Sequence, residues 1–163
     1  MKIKIRKAKI SDIPQLVDLL VDFYKIQREK GVKTITEDDA VLKGGVTIEI
    51  GNGFANPAWM CVIADRAGSL VSCMIGVLEF CTPISKDLKC VKVLVNYLTD
   101  DTLVGPRVLT GVWKLMEEWA AESGAGFFYA NIHPGNASSI RAAKHVGFKH
   151  QYTQFYKELT LEA

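Results

Sequence analysis

Lysine and isoleucine alternate through KIKIRKAKI (residues 2–10), the period-two pattern of a half-buried strand. The period then changes. Ile13, Leu16, Val17, Leu20, Phe23 and Tyr24 recur at helical spacing. Ser11 is placed to cap that helix, Pro14 fits its first turn, and Gly31 marks its end. Thr36 with Asp39 suggests the start of a second helix, which Gly44 and Gly45 interrupt and GNG (residues 51–53) closes. WMCVIAD and LVSCMIGVLEF flank RAGS, the signature of a tight hairpin. CVKVLVNYL (residues 90–98) is rich in β-branched residues but alternates imperfectly.

VGPRVLTGVWKLMEEWAAESG reads as a helix. Pro106 lies in its first turn, Leu109, Val112, Trp113, Met116 and Trp119 or Ala120 form its stripe, and Gly124 stops it. GFFYANI (residues 126–132) is a strand, Asn136 caps a short helix ending at Gly147, and FKHQYTQFYKEL alternates as a last strand. The predicted order is β-α-α-β-β-β-α-β-α-β. Strand-helix-strand in the second half implies a parallel pair with a right-handed crossover beside antiparallel hairpins. In such mixed sheets function gathers at strand C-terminal ends where direction changes.

Composition narrows the class. With 163 residues, 48% hydrophobic and 23% charged, the chain suits one soluble domain. Its longest apolar run, AWMCVIA, is too short to cross a bilayer, and the N-terminus lacks the apolar centre of a signal peptide. A net charge of +2 argues against a dedicated nucleic-acid binder. The lysines between Lys2 and Lys9 are explained as the wet face of an edge strand. Cys61, Cys73, Cys81 and Cys90 show no metal-ligand spacing and lie in or beside apolar runs, so a reduced, cytoplasmic setting without a metal is expected.

The element order, together with NASSIRAAKHVGF (residues 136–148), resembles the GNAT superfamily of acyl-CoA-dependent N-acetyltransferases. The hairpin VIADRAGSLVSCMIGV looks like that family's second and third strands, with Ile75-Gly76 in the usual place. The resemblance covers nearly the whole chain. It implies an α/β (α+β) fold: a mixed, mostly antiparallel six-stranded sheet, a splayed parallel pair formed by its fourth and fifth strands, and four helices. It also implies acetyl-CoA as co-substrate, its pantetheine arm lying in the splay and pairing with strand backbone near Tyr97, Leu98 and Thr99. Such pairing is sound physically, because a splayed pair leaves backbone groups that an extended amide chain can satisfy.

The pyrophosphate is expected on the loop entering the third helix, where helix N-termini favour anions. The family's Gln/Arg-x-x-Gly-x-Gly/Ala is represented here by DDTLVGPRVL: Gly105 fits, Val104 replaces an expected arginine, and Pro106 and Arg107 follow. The loop looks more like those of phage-type members. Asn136 matches a family residue that contacts the cofactor, a role compatible with capping.

The chemistry is less complete. The family's usual tyrosine donor, seven residues after the Asn, is Ala143 here. Substitutes are Tyr97, His133 and Glu79, with Tyr129 and His145 also in reach. Each has a plain structural explanation as a core hydrogen bond or a solvated side chain. A backbone N–H near Leu98 is the expected oxyanion donor. The expected activity is acetyl transfer to a primary amine of a small molecule or protein. The alternative is a GNAT-fold binding or structural protein with weak or absent chemistry, favoured by Val104 and Ala143. A nucleic-acid partner rests only on the basic N-terminus. The resemblance also allows a homodimer. Residues 20–55 and 80–90 are expected to shape the acceptor site and carry no recognisable specificity code.

Overall fold

The computed structural model describes residues 3–32, 34–80, 89–99, 105–132 and 134–149. Strand β1 (Ile3–Lys7) leads through a short 3-10 turn (Ile10–Asp12) into α1 (Ile13–Glu29), followed by α2 (Asp39–Ala55), β2 (Trp59–Arg66), β3 (Ser69–Phe80), β4 (Lys89–Leu98), α3 (Gly105–Glu122), β5 (Ala125–Ala130) and α4 (Ala137–His145). The strands form one sheet in the order β1-β2-β3-β4-β5. All neighbours are antiparallel except β4 and β5. The expected sixth strand lies almost wholly outside the described residues.

Sheet periodicity sorts side chains into two cores. Cys61, Ile63, Cys73, Ile75 and Val95 meet Leu16, Leu20, Val46 and Ile50 from α1 and α2. Met60, Val62, Ala64, Met74, Val91 and Val93 meet Val108, Val112, Trp113 and Met116 from α3. Two glycines allow α3 to lie close. A Cβ on Gly76 would stand 2.8 Å from Val91 Cγ1 and 3.1 Å from Met116 Sδ, and one on Gly111 would collide with Ile5 Cδ1. The hairpin turn uses Ala67 (φ 54°) and Gly68 (φ 90°), left-handed positions that suit a two-residue β-turn.

Several boundaries differ from the sequence expectation. Ser11 falls inside the 3-10 turn. Asp12, not Ser11, organises the entry: its carboxylate accepts the Lys9 N–H at 2.7 Å and both Arg6 guanidinium nitrogens at 2.7 and 2.9 Å. Asp38 caps α2, accepting from the N–H groups of Ala40 and Val41. Gly44, Gly45 and the GNG stretch do not break that helix. Leu42, Val46 and Ile50, one turn apart and buried, hold it against the sheet, so tertiary burial overrides poor local propensity. Strand β5 ends at Ala130, not Ile132, because its pairing with β4 stops there.

Candidate active site

The splay has a local cause. Gly76 of β3 pairs with Val93, whereas Ile75 pairs with Val95, so Leu94 is one residue too many on β4. This is a β-bulge, which bends a strand and re-aims the side chains after it. Val91 and Val93 face α3, but Val95 and Tyr97 face α1. The imperfect alternation of CVKVLVNYL is this change of face. The last β4–β5 pair is Val93 with Ala130, one residue before the bulge, and β4 then runs on to Leu98 beside β3 alone among the described strands.

Beyond that pair lies a cleft of about 610 Å³, open solvent at its mouth included. Val93, Leu94 and Asn96 form one wall, and Ala130, Asn131 and Ile132 the other. Phe23 and Gln27 of α1 close one side, and Trp113 with Phe148 the other. Asn136, Ser139, Ala142 and Ala143 of the α4 segment complete it. The described lining is therefore apolar side chains, four amides and a serine, with no acid or base among it.

Asn136 ties this site together. Only 2% exposed, it caps α4 by accepting from Ser139 N–H at 3.2 Å. The same Oδ1 accepts from Ser138 Oγ at 2.9 Å and Lys30 Nζ at 3.3 Å, while Nδ2 donates to Gln27 Oε1 at 3.3 Å. The C-terminal end of α1 is thereby latched to the start of α4. Across the cleft, the Trp113 ring is fixed by edge contacts to Phe128 (centroids 5.5 Å apart) and Phe148 (5.4 Å). Its indole N–H is buried and has no acceptor among the described residues. A buried donor left so costs about 1–3 kcal/mol.

The residues singled out from sequence scatter more widely. Asn136 and Ala143 both line the cleft. Tyr97 packs its ring on Phe23, 5.6 Å between centroids, on the α1 face beside the cleft rather than in its wall. Thr99 turns toward β3, its N–H and hydroxyl both donating to Val71 O, and Leu98 packs on the α3 side. Glu79 lies on β3, 4.0 Å from Lys92 Nζ, which sits 6.0 Å above the Tyr129 ring. That half-buried row lies on the paired part of the strands, and its ion pair adds little. His145 is exposed at the end of α4. Gly105 and Arg107 open α3; among the described residues nothing lies within 4 Å of where a Gly105 Cβ would be, and Arg107 is exposed. His133, Val104 and the Pro106 side chain lie outside the described residues.

Gln27, Lys30, Leu94, Asn96 and Trp113 were not anticipated as site residues. The first two look like ordinary polar positions at the C-terminal end of α1, since their partner is 106 to 109 residues away. The Cys61 and Cys73 thiols are poor nucleophiles: burial pushes Cys73 up to about 12 and raises Cys61 as well. Tyr24 is raised by burial, then by the Glu49 carboxylate beside it, so it stays a donor to Glu49 at neutral pH.

The architecture, with its splayed parallel pair at a β4 bulge, is the GNAT fold. The sequence matches no protein-family model and no curated protein, but solved structures match across the chain. One is a predicted acetyltransferase from Clostridium acetobutylicum solved with acetyl-CoA. It is similar over 98% of this chain and 96% of that chain, at 22% identity and a TM-score of 0.71. Another is a ribosomal-protein-alanine N-acetyltransferase from Brucella melitensis biovar Abortus 2308, at 13% identity over 98% and 100% of the chains and a TM-score of 0.69. A third is an aminoglycoside antibiotic 6′-N-acetyltransferase from Acinetobacter haemolyticus, at 12% identity over 98% and 99% and a TM-score of 0.73. Identities this low speak to the fold alone.

Proposed function

We propose that this protein is an acetyl-CoA-dependent N-acetyltransferase that passes an acetyl group directly from the thioester to a primary amine. The observation that carries the reading is the Leu94 bulge, which ends the β4–β5 pairing and opens a cleft beside strand backbone. An extended amide chain fits there by strand addition. The buried Trp113 N–H and Gly105, on the first turn of α3, also suit such a ligand: among the described residues the first has no acceptor and the second has nothing within 4 Å of where a Cβ would stand, which suits a phosphate at helix N–H groups.

Bound acetyl-CoA supplies an activated acyl carbon. The chain's own residues hold the reactants. Residues of β4 beyond the bulge orient the thioester, and a backbone N–H of that stretch donates to its carbonyl oxygen. The α1–α4 latch through Asn136 fixes the opposite wall. The amine, once neutral, attacks the carbonyl carbon. The C–N bond forms, the C–S bond breaks, the amine nitrogen gives up a proton and the CoA sulfur takes one. With no acid or base in the described lining, positioning supplies most of the acceleration.

A second reading is favoured by Ala143 on the cleft wall: a GNAT-fold protein that binds CoA esters without efficient turnover. Titration calorimetry with acetyl-CoA and CoA, followed by thiol release over an amine panel, separates the two. The solved neighbours' names cover an antibiotic amine and a protein alanine, so the panel includes aminoglycosides and N-terminal peptides. Binding at micromolar concentration with amine-dependent thiol release supports the enzyme, binding without release supports the second reading, and no binding sinks both. A cytoplasmic location and a homodimer remain part of the proposal, the latter checked by sedimentation. Among the described residues no helix is long and apolar enough to cross a membrane, and no cluster of metal-ligating side chains occurs.

A further inference from the structure

The Trp113 indole is a donor with no other capacity, unlike the cleft's four amides, which can donate or accept. It is 6% exposed, and edge contacts on Phe128 and Phe148 prevent its ring from swinging toward solvent. It lines the cleft beside Val93 and Ala130, the residues at which the strands part. Its nitrogen is buried, and no described residue accepts from it. Buried donors in native proteins nearly always have a partner.

We propose that the Trp113 indole N–H is a ligand-binding donor at the apex of the β4–β5 cleft, taking a carbonyl oxygen of an acyl-pantetheine chain. The proposal rests on the acetyl-CoA reading above and extends it to a residue of α3. Two carbonyl sources share this chemistry, the pantetheine amides and the thioester.

The test uses ¹⁵N-labelled full-length protein, whose three tryptophans give three indole N–H resonances. Loss of one peak in Trp113→Phe assigns it. If that variant does not fold, Trp59→Phe and Trp119→Phe assign it by elimination. On titration with acetyl-CoA, the Trp113 indole proton should move downfield in step with calorimetric saturation. Trp113→Phe, which keeps a ring against Phe128 and Phe148, should bind acetyl-CoA about five- to tenfold more weakly. An equal loss for CoA assigns the acceptor to a pantetheine amide, and a loss confined to acetyl-CoA assigns it to the thioester. β4 amide shifts with an unmoved Trp113 indole overturn the proposal and leave the acetyl-CoA reading standing. So does an indole already downfield and slow to exchange without ligand, since an acceptor within the chain then holds it. Absence of any binding by the wild-type protein overturns both.

Discussion

Replacing Asn136 with alanine isolates the contact on which both the α4 helix and the cleft wall depend. The cap itself, the Ser139 N–H on Oδ1, is worth about 1 kcal/mol. The donor to half-buried Gln27 adds about 0.5–1.5 kcal/mol, because that amide oxygen loses its partner without full access to water. Ser138 is exposed and can turn its hydroxyl to solvent, so its loss adds little. A total of about 2 kcal/mol follows, which for a domain of this size lowers Tm by about 4–8 °C. Urea unfolding monitored by far-UV circular dichroism measures it. Asn136→Asp is the control: it keeps the capping oxygen, places a negative charge at a helix N-terminus near Lys30, and loses only the donor to Gln27, so it should cost less than about 1 kcal/mol. A change below about 0.5 kcal/mol for Asn136→Ala would refute the reasoning, as would equal losses for both variants.

Other perturbations probe separate parts of the argument. Gly76→Ala drives a methyl into Val91 and Met116 and should cost about 1–3 kcal/mol in the same unfolding assay; a neutral result would mean α3 can slide away from the bulge region. Gly105→Glu meets no described residue within 4 Å of its Cβ, so the fold should survive while acetyl-CoA binding is lost to repulsion of the phosphates. An unchanged Kd for that variant puts the phosphates elsewhere. The Arg6 guanidinium holds the Asp12 carboxyl below the usual carboxylate range. Its contribution is therefore complete above the unfolded aspartate pKa and is lost as pH falls through the folded value. Asp12→Asn should lower stability at pH 7 by about 2 kcal/mol and flatten that acid limb of the stability curve; an unflattened limb rules out Asp12 as its source.

What the sequence disclosed was what its chemistry decides locally. The α4 block is one such case, since Asn136 needs only its own next three residues to cap, and Gly147 only its own φ of +92° to stop the helix. The hairpin at Ala67-Gly68 is another. The bulge was visible as a flaw in the alternation of CVKVLVNYL but not as a bulge, because its position depends on which β3 residues lie opposite. The end of β5 was hidden for the same reason: Asn131 and Ile132 look like strand, and only the absence of a β4 partner makes them cleft wall. Gln27 and Lys30 acquire meaning through Asn136, more than a hundred residues on. Trp113 was read correctly as part of a helix stripe. That its nitrogen has no acceptor among the described residues is a property of packing that no periodicity reports.

The makeup of the described cleft wall bears on how turnover should respond to pH. An attacking amine must lose its proton, and the described lining offers amides, a serine and apolar groups rather than a base. If the neutral amine is drawn from solution, log kcat/KM rises with unit slope up to the pKa of the acceptor itself. Two acceptors whose amine pKa values differ by about 2 units should then give profiles displaced by about the same amount, since the limiting ionisation belongs to the substrate. A protein base gives the opposite pattern, a bend at one pH whichever amine is used. His133, singled out from the sequence, is the candidate for such a base, and His133→Ala discriminates. Displaced profiles that survive the substitution support transfer by positioning alone. A common bend that disappears in His133→Ala would overturn it and make His133 the catalytic base.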